Sequence, residues 1–142
     1  MNILISACLL GRKCRYDGKD KNQIDLSCLK GHNLIAVCPE VDGGLSVPRS
    51  PAERVSSYII NKDGNDVTLE YVRGAEMALK RAVDNNCKIA ILKAKSPSCG
   101  KGRIYDGTFT GTLTDGNGVT AELLLANGID VYTEDEISLI RF

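Results

Sequence analysis

Four short apolar runs, separated by polar and glycine-rich segments, frame the chain. Residues 2–7 (NILISA), 33–38 (NLIAVC), 88–92 (KIAIL) and 129–132 (IDVY) are short and nearly continuous in apolar character. Runs of that kind suit strands covered on both faces. Two other stretches repeat at helical spacing. In residues 69–86, Tyr71, Val72, Ala75, Ala78, Leu79, Ala82 and Val83 recur every three or four positions, with Thr68 as the cap and Glu76–Lys80 as a supporting charge pair. Residues 119–127 read as a second helix, ended by Gly128, and Thr133 caps a last short helix beginning at Glu134. Residues 25–29 read as a short helix stopped by Gly31. Residues 58–60 and 66–68, joined by 61–65 (NKDGN), read as a small hairpin. Residues 105–115 (YDGTFTGTLTD) are an edge strand or an ordered loop, and 41–51 (VDGGLSVPRSP) a glycine- and proline-rich loop.

Strand alternating with helix is the pattern of an α/β fold. The expected architecture is a single domain over residues 1–142. It has a mostly parallel, Rossmann-like sheet flanked by helices, plus the small hairpin. In such sheets ligands bind outside the carboxyl ends of the strands.

Composition narrows the function classes. With 43% apolar and 25% charged residues the chain is ordinary for a globular protein, and its formal net charge is zero. No overall field therefore favours nucleic acid or an anionic membrane, although Arg12, Lys13, Arg15, Lys19 and Lys21 form a local basic cluster. No charged-then-apolar leader is visible, and no apolar run approaches the roughly 20 residues that span a bilayer. The expected location is the cytoplasm, with no membrane partner.

In that compartment six cysteines are informative, because disulfides are disfavoured there. The bland reading of a cysteine is a small buried hydrophobe, and it suits Cys28 and Cys87. Cys8, Cys38 and Cys99 differ: each sits at or just beyond the carboxyl end of a predicted strand. Parallel neighbouring strands would bring those ends within about 5 to 10 Å of one another. Cys14, six residues past Cys8, ranks second to them. Three thiolates can serve zinc with a fourth ligand or water, but the lone His32 lies at the far end of its strand from Cys38. They can equally serve an iron–sulfur cluster, leaving one iron open for Lewis-acid chemistry.

Polar groups flank the thiols. Glu40, two residues after Cys38, is placed either to move protons or to cap a turn. Ser96 and, more weakly, Ser98 stand beside Cys99 in the stiff loop SPSCG, where a hydroxyl also commonly stabilises a turn. Arg15, Arg49, Lys93 and Lys95 are candidate cations, with solvation the blander role for the lysines. The glycines match neither a P-loop nor a dinucleotide fingerprint, so no nucleotide cofactor is expected.

Together Ser6-Ala7-Cys8-Leu9-Leu10-Gly11, Arg15-Tyr16-Asp17-Gly18, Cys38-Pro39-Glu40 with Gly43-Gly44-Leu45 and Pro48-Arg49, Ser96-Pro97-Ser98-Cys99-Gly100 and Gly107-Thr108-Phe109 resemble a bacterial family. It is the family grouped as domain of unknown function 523, which includes thiouracil desulfidases. The resemblance spans essentially the whole chain. It implies an oxygen-sensitive [4Fe-4S] cluster on Cys8, Cys38 and Cys99, with Glu40 and Ser96 in catalytic roles. It also implies desulfidation of a small thiolated pyrimidine such as 2-thiouracil, without net redox change. The competing class is a non-catalytic sensor or binding module that uses the same cysteines for a metal or cluster.

Overall fold

The structure is a computed structural model that describes residues 1–18 and 24–142, so Lys19 and Lys21 of the basic cluster lie outside the described residues. In chain order its strands are β1 (Asn2–Ser6), β2 (Asn33–Val37), β3 (Ala52–Val55), β4 (Tyr58–Asn61), β5 (Ile89–Leu92), β6 (Arg103–Tyr105), β7 (Leu113–Asp115) and β8 (Asp130–Thr133). The helices are α1 (Pro39–Asp42), α2 (Thr68–Asp84) and α3 (Val119–Ala126). The expected α/β fold is present: β2, β1, β5 and β8 form, in that order, a parallel sheet.

Its two faces follow from alternation along each strand. Leu4, Ala90, Leu92 and Val131 point to one face, where they join Ala82, Ala121 and Leu124 of α2 and α3. Ile3, Ile5, Ile89 and Ile91 point to the other, which is closed by Leu9, Leu29 and Ile140. Both faces are covered, so the strand sequences are apolar at successive positions rather than every second one. Each fully buried Leu or Ile here contributes about 1.5–3 kcal/mol. Register is level at the carboxyl edge: Ser6 lies opposite Val37, and Ile5 opposite Ile91.

Outside the sheet several expectations change. The hairpin is β3 with β4, antiparallel, and residues 66–68 contribute only an isolated bridge between Asp66 and Ile60. The side chain of Asn61 accepts the N–H groups of Asp63 and Asn65 and folds that segment into a turn. The chain then enters α2 without pairing further. Thr68 is not the cap, because its hydroxyl accepts the Ile59 N–H and ties α2 to β4. On α2, Tyr71, Ala75, Ala78 and Ala82 are buried, while Val72 and Val83 are exposed. Lys80 pairs with Asp84 rather than Glu76. Residues 25–29 form only a 3-10 turn, Ser27–Leu29, and Cys28 is exposed on it rather than buried. Cys87 is buried in the core as expected. Residues 105–115 contribute to a two-stranded ribbon, β6 with β7. Thr133 does cap the last turn, with Glu136 completing a capping box. Among the described residues no helix is long and apolar enough to cross a membrane.

One close approach fixes the segment that follows β2. α1 lies against α2 so tightly that a Cβ on Gly74 would fall 1.8 Å from the Pro39 carbonyl oxygen. Both groups are backbone and neither can swing aside. Gly74→Ala is therefore expected to destabilise the fold by about 1–3 kcal/mol or more, read as a lower urea midpoint. An unchanged midpoint would mean that α1 is free to move off α2.

Candidate functional site

The strand order reverses direction between β1 and β5: the chain passes from β1 to β2 on one side and from β5 to β8 on the other. Such a switch point leaves a crevice at the carboxyl edge. A cavity of about 480 Å³ lies there, and Cys8, Cys14, Cys38, Cys99, Glu40 and Ser96 are among the residues lining it.

Each thiol arrives by a different local device. Cys8 is in the 3-10 turn Ala7–Leu10 that follows β1 directly. Cys38 occupies the N-cap position of α1, where Pro39 begins the helix and turns the chain out of β2. Cys99 comes seven residues after β5, in a loop tightened by Ser96. The Ser96 hydroxyl accepts the N–H groups of Ser98 and Cys99, both at 3.0 Å. The same loop caps α3: the carbonyls of Pro97 and Ser98 accept the N–H groups of Val119 and Thr120. Ser98 turns inward, with its hydroxyl 2.8 Å from that of Thr120.

Burial is the main influence on Cys8 and Cys99. It pushes Cys8 up to about 11, with the neighbouring Cys38 adding to the effect. Cys99 is also raised by burial, opposed by a hydrogen bond from Ser6. Cys38 is raised by the hydrogen bond it shares with Cys14 and by burial, and that same bond lowers Cys14. Cys14 thus sits against Cys38 in the cavity wall rather than apart in its loop. Among the described residues no three His, Cys, Asp or Glu side chains are grouped tightly enough for a single metal ion. Cys8, Cys38 and Cys99 lining one cavity are the donor type that an iron–sulfur cluster takes.

Glu40 reaches the same cavity from the first turn of α1. Its Oε2 accepts the Tyr71 hydroxyl at 2.7 Å and Arg49 Nη2 at 3.1 Å. Both donors fall on one oxygen, and among the described residues no donor reaches Oε1. Arg49 is nearly buried, with 8% of its side chain exposed, and Nη2 also donates to the Cys14 carbonyl at 3.1 Å. Burial and the charge of Glu40 push the Tyr71 hydroxyl far up, so it stays a donor.

The other candidate cations separate. Lys93 lines the cavity but is paired with Glu134 at 2.6 Å, and Arg15 with Asp17 at 3.3 Å. Lys95 is an exposed cavity-lining residue held at φ 70°. His32 is remote from the thiols, stacked on Phe142. The sequence reading missed Tyr71 as a site residue, because a tyrosine on an apolar helical stripe reads as core. It also missed Glu53, a buried carboxylate in a strand that the periodicity did not reveal.

Comparison with known proteins agrees with the geometry. A family model described as 2-thiouracil desulfurase matches residues 3–136. The Bacillus subtilis (strain 168) protein YbbK, itself described as uncharacterized, is 40% identical over 96% of this chain and 97% of its own length. A solved structure titled as the [4Fe-4S]-dependent thiouracil desulfidase TudS (DUF523Vcz) superposes with a TM-score of 0.89 at 43% identity, covering 98% of this chain and 99% of that one. The chain belongs to the 2-thiouracil desulfurase family.

Proposed function

We propose that this protein is a desulfidase that hydrolyses the thiocarbonyl of a small thiolated pyrimidine, 2-thiouracil or a related base or nucleoside, using a [4Fe-4S] cluster. The observation that carries the reading is the convergence of Cys8, Cys38 and Cys99, from three strand ends, on a cavity shared with a fixed carboxylate. Those three cysteines are the residues that would hold the cluster. Cys14, whose backbone carbonyl accepts the Cys38 thiol at 3.7 Å, is left outside the ligand set. When bound, the cluster would supply a Lewis acid beside the substrate's thiocarbonyl.

The rest of the chemistry falls to the chain's own side chains. Glu40 takes a proton from a water molecule through Oε1 as that water attacks the carbon, and later gives that proton to the departing sulfur. Tyr71 and Arg49 hold Oε2 and so fix the direction in which Oε1 faces. Ser96 orients the substrate with a hydroxyl that already anchors the thiol loop. A C=S bond and water become a C=O bond and hydrogen sulfide, so no electron carrier is needed. Relatedness to the thiouracil desulfidase TudS and the family match support this reading.

Anaerobic reconstitution with iron and sulfide, followed by assay of sulfide release from 2-thiouracil, is the direct test. A cluster that forms and turns over no thiolated pyrimidine would sink the desulfidase reading in favour of a sensor. Cys99→Ser is expected to lose the cluster's visible absorption. Glu40→Gln should keep that absorption and lose about 10²–10⁴-fold in kcat; loss of the cluster instead would make Glu40 a structural residue. Tyr71→Phe removes one hydrogen bond to the charged Glu40 and should lower kcat about tenfold or more, again with the absorption intact.

A further inference from the structure

We propose that Phe109 forms the wall on which the substrate's flat ring stacks, and that the buried carboxylate of Glu53 holds it there. The inference rests on the reading of the cavity as a thiolated-pyrimidine site and names the residue that recognises the ring. Phe109 lines the same cavity as the thiols and Glu40. It does so from an unusual backbone conformation, φ 57°. A bulky side chain rarely adopts the left-handed region, because its Cβ crowds the following carbonyl. Such conformations persist where the surroundings over-determine them, and they cluster at ligand clamps.

The surroundings here do over-determine it. Glu53 Oε1 accepts the N–H of Gly107 at 2.9 Å and that of Phe109 at 3.2 Å. Glu53 is 8% exposed, a charged group buried on the inner side of the β3–β4 ribbon. Asp106 Oδ1 binds the N–H and hydroxyl of Thr108 between them. Gly107 itself sits at φ 97°, where a Cβ would lie 2.4 Å from a Val55 methyl. The turn is therefore clamped against β3, and the strained residue it presents is an aromatic one. The chain has only two phenylalanines, and the other is stacked on His32 away from the cavity. Phe109 is half-buried rather than sealed in the core, and its side chain has no group to donate or accept a hydrogen bond. What it offers a ligand is a π face, and a pyrimidine offers one in return.

The test compares Phe109→Leu, Phe109→Tyr and Phe109→Gly with the wild type in cluster-loaded protein. Two quantities are read: KM for 2-thiouracil by sulfide release, and the dissociation constant of uracil, which does not turn over, by calorimetry. Phe109→Leu and Phe109→Gly should each raise both about tenfold or more with kcat nearly unchanged, and Phe109→Tyr should restore both. Phe109→Gly should not lower the melting temperature, because glycine adopts φ 57° without crowding. Glu53→Gln should raise both constants in the same direction. Unchanged constants in the leucine variant, or a fall in kcat and melting temperature in both the leucine and glycine variants with KM unmoved, would overturn the stacking role. A wild type that binds uracil through Phe109 yet releases no sulfide would sink the desulfidase reading and leave the wall standing. A wild type that does neither overturns both.

Discussion

Everything at the cavity depends on the register of three parallel strands. β1 is hydrogen-bonded on both sides, with Ser6 opposite Val37 and Ile5 opposite Ile91. A slip of one residue would turn Ile3 and Ile5 onto the face of Leu4 and bury the wrong set. The two apolar faces, each filled by a different half of the same strands, therefore determine where the strands end. That in turn determines where Cys8 and Cys38 stand. Spacing between the thiol-bearing segments comes from the inter-strand distance of about 4.8 Å, not from a local chain motif. This is why the cysteines lie 30 and 61 residues apart in the chain and show no CxxC pattern.

A second dependence runs through a partly buried charge. Glu40 is taken largely out of water by α1, and a carboxylate so placed needs partners. Arg49 supplies one from the glycine- and proline-rich loop, and Tyr71 supplies another from α2. Arg49 also binds the Cys14 carbonyl, so the loop after α1 and the loop after β1 are joined at the same guanidinium. The tight α1–α2 contact at Gly74 holds this arrangement from behind. Cys38, Pro39 and Glu40 are consequently positioned as one unit: a change that loosens α1 moves a thiol and a carboxylate together.

What was legible in the sequence follows from these dependences. Strands covered on both faces announce themselves as continuous apolar runs, so the sheet, its parallel sense and the thiols at its edge could be read directly. Glu40 and Ser96 were legible as neighbours of those thiols, and the cavity does contain both. What failed was decided by contacts between segments distant in the chain. Thr68 has a cap residue's chemistry, but β4 claims its hydroxyl. Tyr58–Asn61 pairs with β3, whose AERV sequence carries two charged residues and no apolar alternation. Cys28 lies one position from Leu29, yet only Leu29 turns inward on that 3-10 turn. Tyr71 packs as its periodicity suggests and still places its hydroxyl on Glu40, which no helical spacing can reveal.

The structure also separates two duties. The thiols and Glu40 are attached to the ends of β1, β2 and β5, where the core holds them. Phe109 and Glu53 belong to the β3–β4 and β6–β7 ribbons and the turn between β6 and β7, outside the central sheet. Backbone strain follows the same division. Of the four non-glycine residues with positive φ among the described residues, Lys95 and Phe109 line the cavity, and none lies in a strand of the central sheet. The ribbons are tied to the helices that flank the sheet: Arg54 of β3 pairs with Glu122 of α3 at 2.7 Å, and the Ile59 N–H of β4 donates to Thr68 of α2. Lys95, bridged to Ile104 of β6, is one point of contact between the ribbons and the thiol loop. The segments that carry Phe109 and Glu53 are thus separate from those that carry the thiols. A match at the strand ends therefore speaks for the chemistry and says little about which thiolated ring enters.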